Sequence, residues 1–275
     1  MQGNSSASRT DTSAPITGDM NRPIYRHLAE KKWRARARLI NEQRITQMSV
    51  TPDVLPSIDL KASVEMSYYG TKLNSSNRII PRTTRSGQRV SVQPGEYVAS
   101  MVAEQPPKLD VQVFDKGERL VTVAIVDPDV PNLAKDGFDY RCQFLASNIK
   151  IGPAAPTIRL AQLKPTSVLL PWEVPTAIKG GPYHRIAIIV LEQPEGVVDV
   201  AKAMEKVQRK GFVLRSFVDR HALKAVGATL FRIEHDEWMD DVMRRNGFEK
   251  MVGMELKRKR VEPLPYKKKD GSRYR

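Results

Sequence analysis

An apolar run, Leu120 to Val126, interrupted only by Thr122 and closed by Asp127-Pro-Asp-Val-Pro131, constrains this chain more than any other stretch. It is too short for a helix of its own and too uniform for a half-exposed strand. It therefore reads as a central strand covered on both faces. The two prolines donate nothing to a ladder and bias the residues before them toward extended or turn geometry. The strand is thus expected to stop there, leaving Asp127 and Asp129 at the rim of the sheet. A second stretch has the same form: Gly180-Gly-Pro makes a turn, Tyr183-His-Arg185 follows, and Ile186 to Leu191 is another buried strand. Carboxylates from one strand end and His184 from the other are expected to face one pocket.

The remaining chain supplies a frame for these two strands. Ile58, Leu60, Ala62, Val64 and Met66 alternate with polar neighbours as far as Tyr68-Tyr69-Gly70, a half-buried strand. Residues 71–89 read as loop, Val90 to Tyr97 as a short strand and turn, Leu109 to Phe114 as a third strand, and Tyr140 to Ile149 as a fifth. Residues 151–182 hold six prolines and read as a long connection of the kind found around a binding mouth. Helices are expected over Val198 to Lys210, from a capping-box-like Ser216-Phe-Val-Asp219 to about Ala225, and over Glu237 to Arg245 with Asp236 as cap, with a strand at Ala228 to Ile233 between the last two. Many short strands with a late helical section make an α+β, β-rich domain.

Charge divides the chain. The 275 residues carry a net charge of +14, yet residues 1–50 hold nine Lys/Arg against four Asp/Glu, and residues 252–275 hold nine against three. A nearly balanced body therefore has two basic ends, which points to a polyanionic partner. Three parts are expected: a basic N-terminal extension over 1–50 with a helix at about 23–45, a domain over 51–250, and a basic extended tail over 251–275. The helix has no clean apolar stripe. Lys31, Arg34 and Arg38 share one face while Lys32, Arg36 and Arg44 point elsewhere. A solvated arm, a helix embedded in RNA and a mitochondrial import sequence all fit, although Asp11, Asp19, Glu30 and Glu42 weigh against the last. The tail interleaves Lys257, Arg258, Lys259, Arg260, Lys267, Lys268, Lys269, Arg273 and Arg275 with Tyr266 and Tyr274. Cations neutralise phosphates and tyrosines stack on unpaired bases, so the tail suits RNA better than folding, with a nuclear-localisation or solubility tail as the plainer alternative.

Several classes are set aside. No run approaches the ~20 apolar residues of a membrane span, and a soluble protein is expected. The single cysteine, Cys142, excludes an internal disulfide or a thiolate metal cluster. No phosphate-binding loop, dinucleotide fingerprint or metal-ligand spacing is present, so no metal and no cofactor are expected.

The motifs recur in an order that resembles the phosphatidylethanolamine-binding protein family. They are Asp127-Pro-Asp-Val-Pro131, Phe144-Leu145 with Asn148, Gly181-Pro-Tyr-His-Arg185 and Leu191-Glu-Gln193. Gly95-Glu96, Gln105-Pro106 and Val226-Gly-Ala228 accompany them, and the resemblance covers about 52–248. It implies a β-sandwich with C-terminal helices, here flanked by the basic N- and C-terminal extensions. It also implies a pocket for phosphate-like anions made by two aspartates, two histidines, a tyrosine and a glycine-rich turn. Asp127, Asp129 and His184 match that pocket. Gln143 stands where the family has a histidine, Ile186 replaces a phenol, Pro171-Trp-Glu-Val-Pro175 replaces the glycine turn, and Met243 takes a tyrosine position. Donors are lost and acceptor-only carboxylates kept, so the pocket reads as vestigial, without a small-molecule ligand. Asp127 and Asp129 are then expected to pair with Arg185 or Arg141, and His184 to be a satisfied pocket histidine with no catalytic role.

The basic ends on such a domain resemble a branch of the family found in the mitochondrial large ribosomal subunit. That resemblance implies a non-enzymatic ribosomal role in the mitochondrial matrix, with large-subunit rRNA and neighbouring ribosomal proteins as partners. An anion- or phospholipid-binding regulator of kinases or proteases is the alternative, and a hydrolase using the pocket is a third.

Overall fold

The computed structural model describes residues 18–76, 78–81, 89–132, 135–194 and 196–256. In chain order the helices are α1 Pro23–Lys32, α2 Arg38–Gln47, the single turn α3 Val50–Asp53, α4 Ser100–Ala103, α5 Val200–Lys206, α6 Leu214–Arg220 and α7 Met239–Arg245. The strands are β1 Ser63–Tyr69, β2 Thr71–Leu73, β3 Arg78–Pro81, β4 Arg89–Val92, β5 Tyr97–Val98, β6 Lys108–Gln112, β7 Arg119–Asn132, β8 Gly137–Ile151, β9 Thr157–Arg159, β10 Val168–Leu170, β11 His184–Glu192 and β12 Lys224–Ile233. They form a sheet of order β4-β1-β6-β9 and an eight-stranded sheet of order β10-β8-β7-β11-β12-β5-β3-β2. The α+β, β-rich class and the sandwich are as the sequence implies.

Two apolar cores lie on opposite faces of the larger sheet. Val123, Ile125, Phe144, Ile186, Ile188 and Phe231 pack toward the four-stranded sheet, whose Val64, Met66, Leu109 and Val111 face them. Ala124, Val126, Leu145, Ala187, Ile189 and Leu230 pack against Trp33, Ile45, Val50, Leu214 and Phe217 of a helical layer. This double coverage is why the middles of β7 and β11, Val123 to Val126 and Ile186 to Leu191, are apolar at every position. The sheets approach closely at β12, where a Cβ on Gly227 would lie 2.6 Å from Val64 Cγ2, so only glycine fits there.

Several local expectations are corrected. Strand β7 does not stop at Asp127 but runs through both prolines to Asn132, paired with β8 across a register shift between Asp127 and Val130. Its ladder with β11 ends at Val126, so Pro128 and Pro131 lie where one side of the strand has no partner and no donor is missed. Residues 71–89 are not all loop: Thr71 to Leu73 pairs with Ile79 to Pro81. The helix expected to open at Ser216 begins at Leu214, and that expected over 198–210 is shorter, Val200–Lys206, capped by the Asp199 side chain on Lys202 N. Asp236 holds Ser100 N at 2.8 Å and accepts from Trp238 N, fastening α4 to the turn before α7.

The N-terminal helix also differs from a free arm. It is broken by one π-turn over Trp33–Ala37 and lies on the larger sheet: Trp33 packs on Phe114 with ring centroids 5.1 Å apart, and Asn41 Nδ2 donates to Ala228 O at 2.6 Å. The buried positions Trp33, Asn41 and Ile45 are few, and one is polar, which hid the stripe. Truncating Trp33 to alanine is expected to lower stability by about 3–5 kcal/mol, read as a drop in the urea midpoint. An unchanged midpoint would mean that the helix contributes nothing to the body.

Candidate functional site

Alternation along β11 sends consecutive side chains to opposite faces of the sheet. His184 has the parity of Ile186 and Ile188, which face the sandwich core, and Arg185 has that of Ala187 and Ile189, which face the helical layer. The bulged end of β7 meets both. Asp127 Oδ2 lies 2.8 Å from His184 Nδ1, with both side chains buried, and Asp127 Oδ1 accepts from Asp129 N at 2.9 Å. On the other face Asp129 takes a forked contact from Arg185, Nε to Oδ2 at 2.8 Å and Nη2 to Oδ1 at 2.6 Å, and also accepts from Arg185 N. Arg185 Nη1 continues to Asp53 Oδ2 at 2.9 Å and Met48 O at 2.6 Å, which ties the end of α2 and α3 to the rim.

The neighbouring positions are equally occupied. Glu173 Oε2 accepts from Arg141 Nε at 2.6 Å, and the Arg141 guanidinium lies 5.4 Å from the Phe248 ring centroid. Arg209 donates to Cys142 O and Gln143 O at 3.1 Å and to Pro171 O at 2.9 Å, so this cation serves carbonyls of the wall. Trp172 Nε1 donates to Glu104 O at 3.2 Å. Ile186 and Met243 are buried in the sandwich core. Gln143 is buried, and its Oε1 has no hydrogen-bond partner among the described residues. Cys142 is buried beside it, and burial pushes its thiol up to about 12, away from reactivity.

The structure thus pairs Asp127 with His184 on the sandwich side and Asp129 with Arg185 on the helical side, so the two carboxylates do not face one pocket as expected, and Gln143 is buried on the neighbouring strand β8. Arg34 and Arg36 are exposed on the N-terminal helix, Arg34 pairing with Glu30 at 2.7 Å, while Arg38 is half-buried. Lys257, Arg258, Lys259, Arg260, Tyr266, Lys267, Lys268, Lys269, Arg273 and Arg275 lie outside the described residues. The last described residues run along the glycine turn: Leu256 N donates to Lys179 O at 2.8 Å, and a Cβ on Gly180 would lie 2.4 Å from Leu256 O. Sequence reasoning missed the reach of Arg185 to Asp53 and the role of Arg209, because both depend on segments far apart in the chain. Among the described residues no group of three His, Cys, Asp or Glu could hold a metal, and no helix is long and apolar enough to cross a membrane.

Chemically, the rim holds two charge pairs, Asp127 with His184 and Asp129 with Arg185. Burial pulls the His184 pKa down, but the charge and hydrogen bond of Asp127 and the charge of Asp129 outweigh it, and the net shift is upward. A histidine with a raised folded pKa contributes stability that is complete below its ordinary value near 6.5 and is lost as pH rises through the folded value. Unfolding by urea at pH 6 to 9 is therefore expected to show a midpoint that falls with pH. In His184→Gln that slope disappears, and a slope unchanged in the variant would assign it to other groups.

Three comparisons bear on this geometry. The family model described as phosphatidylethanolamine-binding protein matches residues 76–231. The Large ribosomal subunit protein mL38 of Schizosaccharomyces pombe is 25% identical over 215 residues, covering 78% of this chain and 63% of the relative. The chain therefore spans less than two thirds of that relative's length. Among solved structures, the phosphatidylethanolamine-binding protein from Plasmodium vivax is 15% identical, covering 70% of this chain and 97% of that one at a TM-score of 0.44. A carboxypeptidase Y inhibitor, solved with its cognate proteinase, is 15% identical and covers 70% of this chain and 94% of its own at 0.47. The family model extends over more than half of the sequence and takes in β7, β8 and β11 with the Asp127, Asp129 and His184 rim, so the chain belongs to the phosphatidylethanolamine-binding protein family.

Proposed function

We propose that this protein is a structural, non-catalytic constituent of the mitochondrial large ribosomal subunit, in the matrix. Its family domain docks on neighbouring ribosomal proteins and its basic ends bind rRNA. The observation that carries this reading is the similarity to the Large ribosomal subunit protein mL38 over 215 residues. The geometry supports it, because the acids and cations of the rim are spent on one another: Asp127 on His184, Asp129 on Arg185, Glu173 on Arg141. A hydrolase needs a nucleophile or an acid–base group aimed at free space, and His184 is instead buried against Asp127.

For the rRNA contacts, the proposed residues are Arg34, Arg36 and Arg38 at the N-terminal end. At the C-terminal end they are the lysines and arginines from Lys257 to Arg275 together with Tyr266. The exposed Ile24, Leu28 and Leu39 on the same N-terminal helix support a protein neighbour along its outer side. An anion- or phospholipid-binding regulator of kinases or proteases is the second reading, favoured by the family model's match over residues 76–231, which takes in Asp127, Asp129 and His184.

Sedimentation separates the two. In a gradient of mitochondrial lysate the protein is expected to travel with the large subunit. The affinity of the purified full chain for rRNA is expected to fall about 10³-fold or more between 50 and 200 mM salt, as for six or more phosphate contacts. Migration as a free protein together with saturable binding of phosphorylethanolamine would overturn the ribosomal reading in favour of the regulator.

A further inference from the structure

The outer face of the four-stranded sheet carries a feature that the rim and the basic ends leave unexplained. Cross-strand register places Tyr69 opposite Arg89 on β4, and Ser67 opposite Lys108, which in turn lies opposite Arg159 on β9. Tyr69 is 63% exposed, and the Arg89 guanidinium lies 5.2 Å from its ring centroid. These side chains line a cleft of about 370 Å³ that Gln105 and Gln162 also border. Three cations and no carboxylate belong to its lining. Lys108 is partly neutralised by Asp110 at 2.7 Å, whereas the Arg159 side chain donates to the Gln162 amide at 3.3 Å. Among the described residues neither Arg89 nor Arg159 has a carboxylate within ion-pair distance.

The face is also polarised along the strands. Glu65 lies opposite Asp110 toward one end, while Arg159, Lys108, Tyr69 and Arg89 gather at the other. Like charges directly opposite on neighbouring strands destabilise a sheet, and Lys108 lies opposite Arg159 here. An exposed ring already stacked on a guanidinium, beside two further cations on a rigid sheet, is the arrangement that takes a flat aromatic group with an anion attached. Bases stack on aromatic rings and arginine planes alike, and their phosphates meet the neighbouring cations.

We infer that this cleft binds unpaired RNA: one base stacks on the Tyr69–Arg89 pair, and the adjoining phosphates lie against Arg159 and Lys108. A phosphopeptide would use the cations and leave the ring idle, and a duplex offers no free base face to Tyr69. The inference rests on the proposed rRNA partnership only in choosing RNA over DNA. It adds a site on the folded body to those proposed at the ends.

The test uses the full-length protein and a short fluorescent single-stranded oligoribonucleotide, read by anisotropy, with a duplex RNA of equal length as comparison. Tyr69→Ala is expected to weaken single-strand binding about tenfold, while Tyr69→Phe, which keeps the stacking face, binds as the wild type does. Arg159→Gln is expected to reduce the slope of log affinity against log salt by about 0.7, the loss of one phosphate contact on a single strand. Duplex binding is expected to be unchanged in Tyr69→Ala. Wild-type binding that survives Tyr69→Ala intact would overturn the cleft and leave the basic ends as the RNA contacts. Equal losses for single strand and duplex would overturn base stacking. Absence of any RNA binding by the wild type would overturn the cleft and the proposed rRNA partnership together.

Discussion

The guanidinium of Arg185 joins three segments: the bulged end of β7 through Asp129, the end of α2 through Met48 O, and α3 through Asp53. It is a forked, mostly buried ion pair whose two Nη1 donors are directed at a carbonyl and a second carboxylate, the condition under which a partly buried charge is tolerated. Its carboxylate partners, Asp129 ahead of Asp53, hold the guanidinium pKa further up than usual, so its charge is permanent. The helical layer covering one face of the larger sheet is anchored at this point and at the Trp33–Phe114 and Asn41–Ala228 contacts. Without that cover, Ala187, Ile189 and Leu230 would meet water.

This anchoring gives the rim a structural job. Asp127 and Asp129 are two residues apart, yet the bulge and the alternation of β11 direct them to partners on opposite faces of the sheet. Asp129 is fully engaged on the helical side. On the sandwich side Asp127 and His184 satisfy each other, Gln143 presents an acceptor where a cationic donor would be needed, and Glu173 adds a carboxylate that Arg141 already holds. A phosphate approaching this surface meets acceptors and occupied cations.

Much of this was legible in the chain. The apolar runs at Leu120–Val126 and Ile186–Leu191 identify strands buried on both faces, and the Asp-Pro-Asp and His-Arg turns mark their ends, because burial and missing donors leave direct traces in composition. The pairing of Asp129 with Arg185 was among the expected partners. The continuation of β7 past Pro128 was not legible, since it depends on which neighbouring strand ends first. Nor was the docking of the N-terminal helix, whose buried side is carried by Trp33, Asn41 and Ile45 amid a ring of cations. The Tyr69–Arg89 stack was equally hidden: twenty residues separate the two, and only the register of β1 and β4 joins them.

Amide hydrogen exchange in Asp129→Asn tests whether the rim fastens the N-terminal helical segment to the sheet. Removing this charge leaves the Arg185 fork without its principal partner. Amides from Arg38 to Val54 should then exchange at least tenfold faster than in the wild type, while those of β7, β8 and β11 within the double-faced core keep their protection. Unchanged protection from Arg38 to Val54 would contradict the claim, as would a uniform loss across the whole sheet.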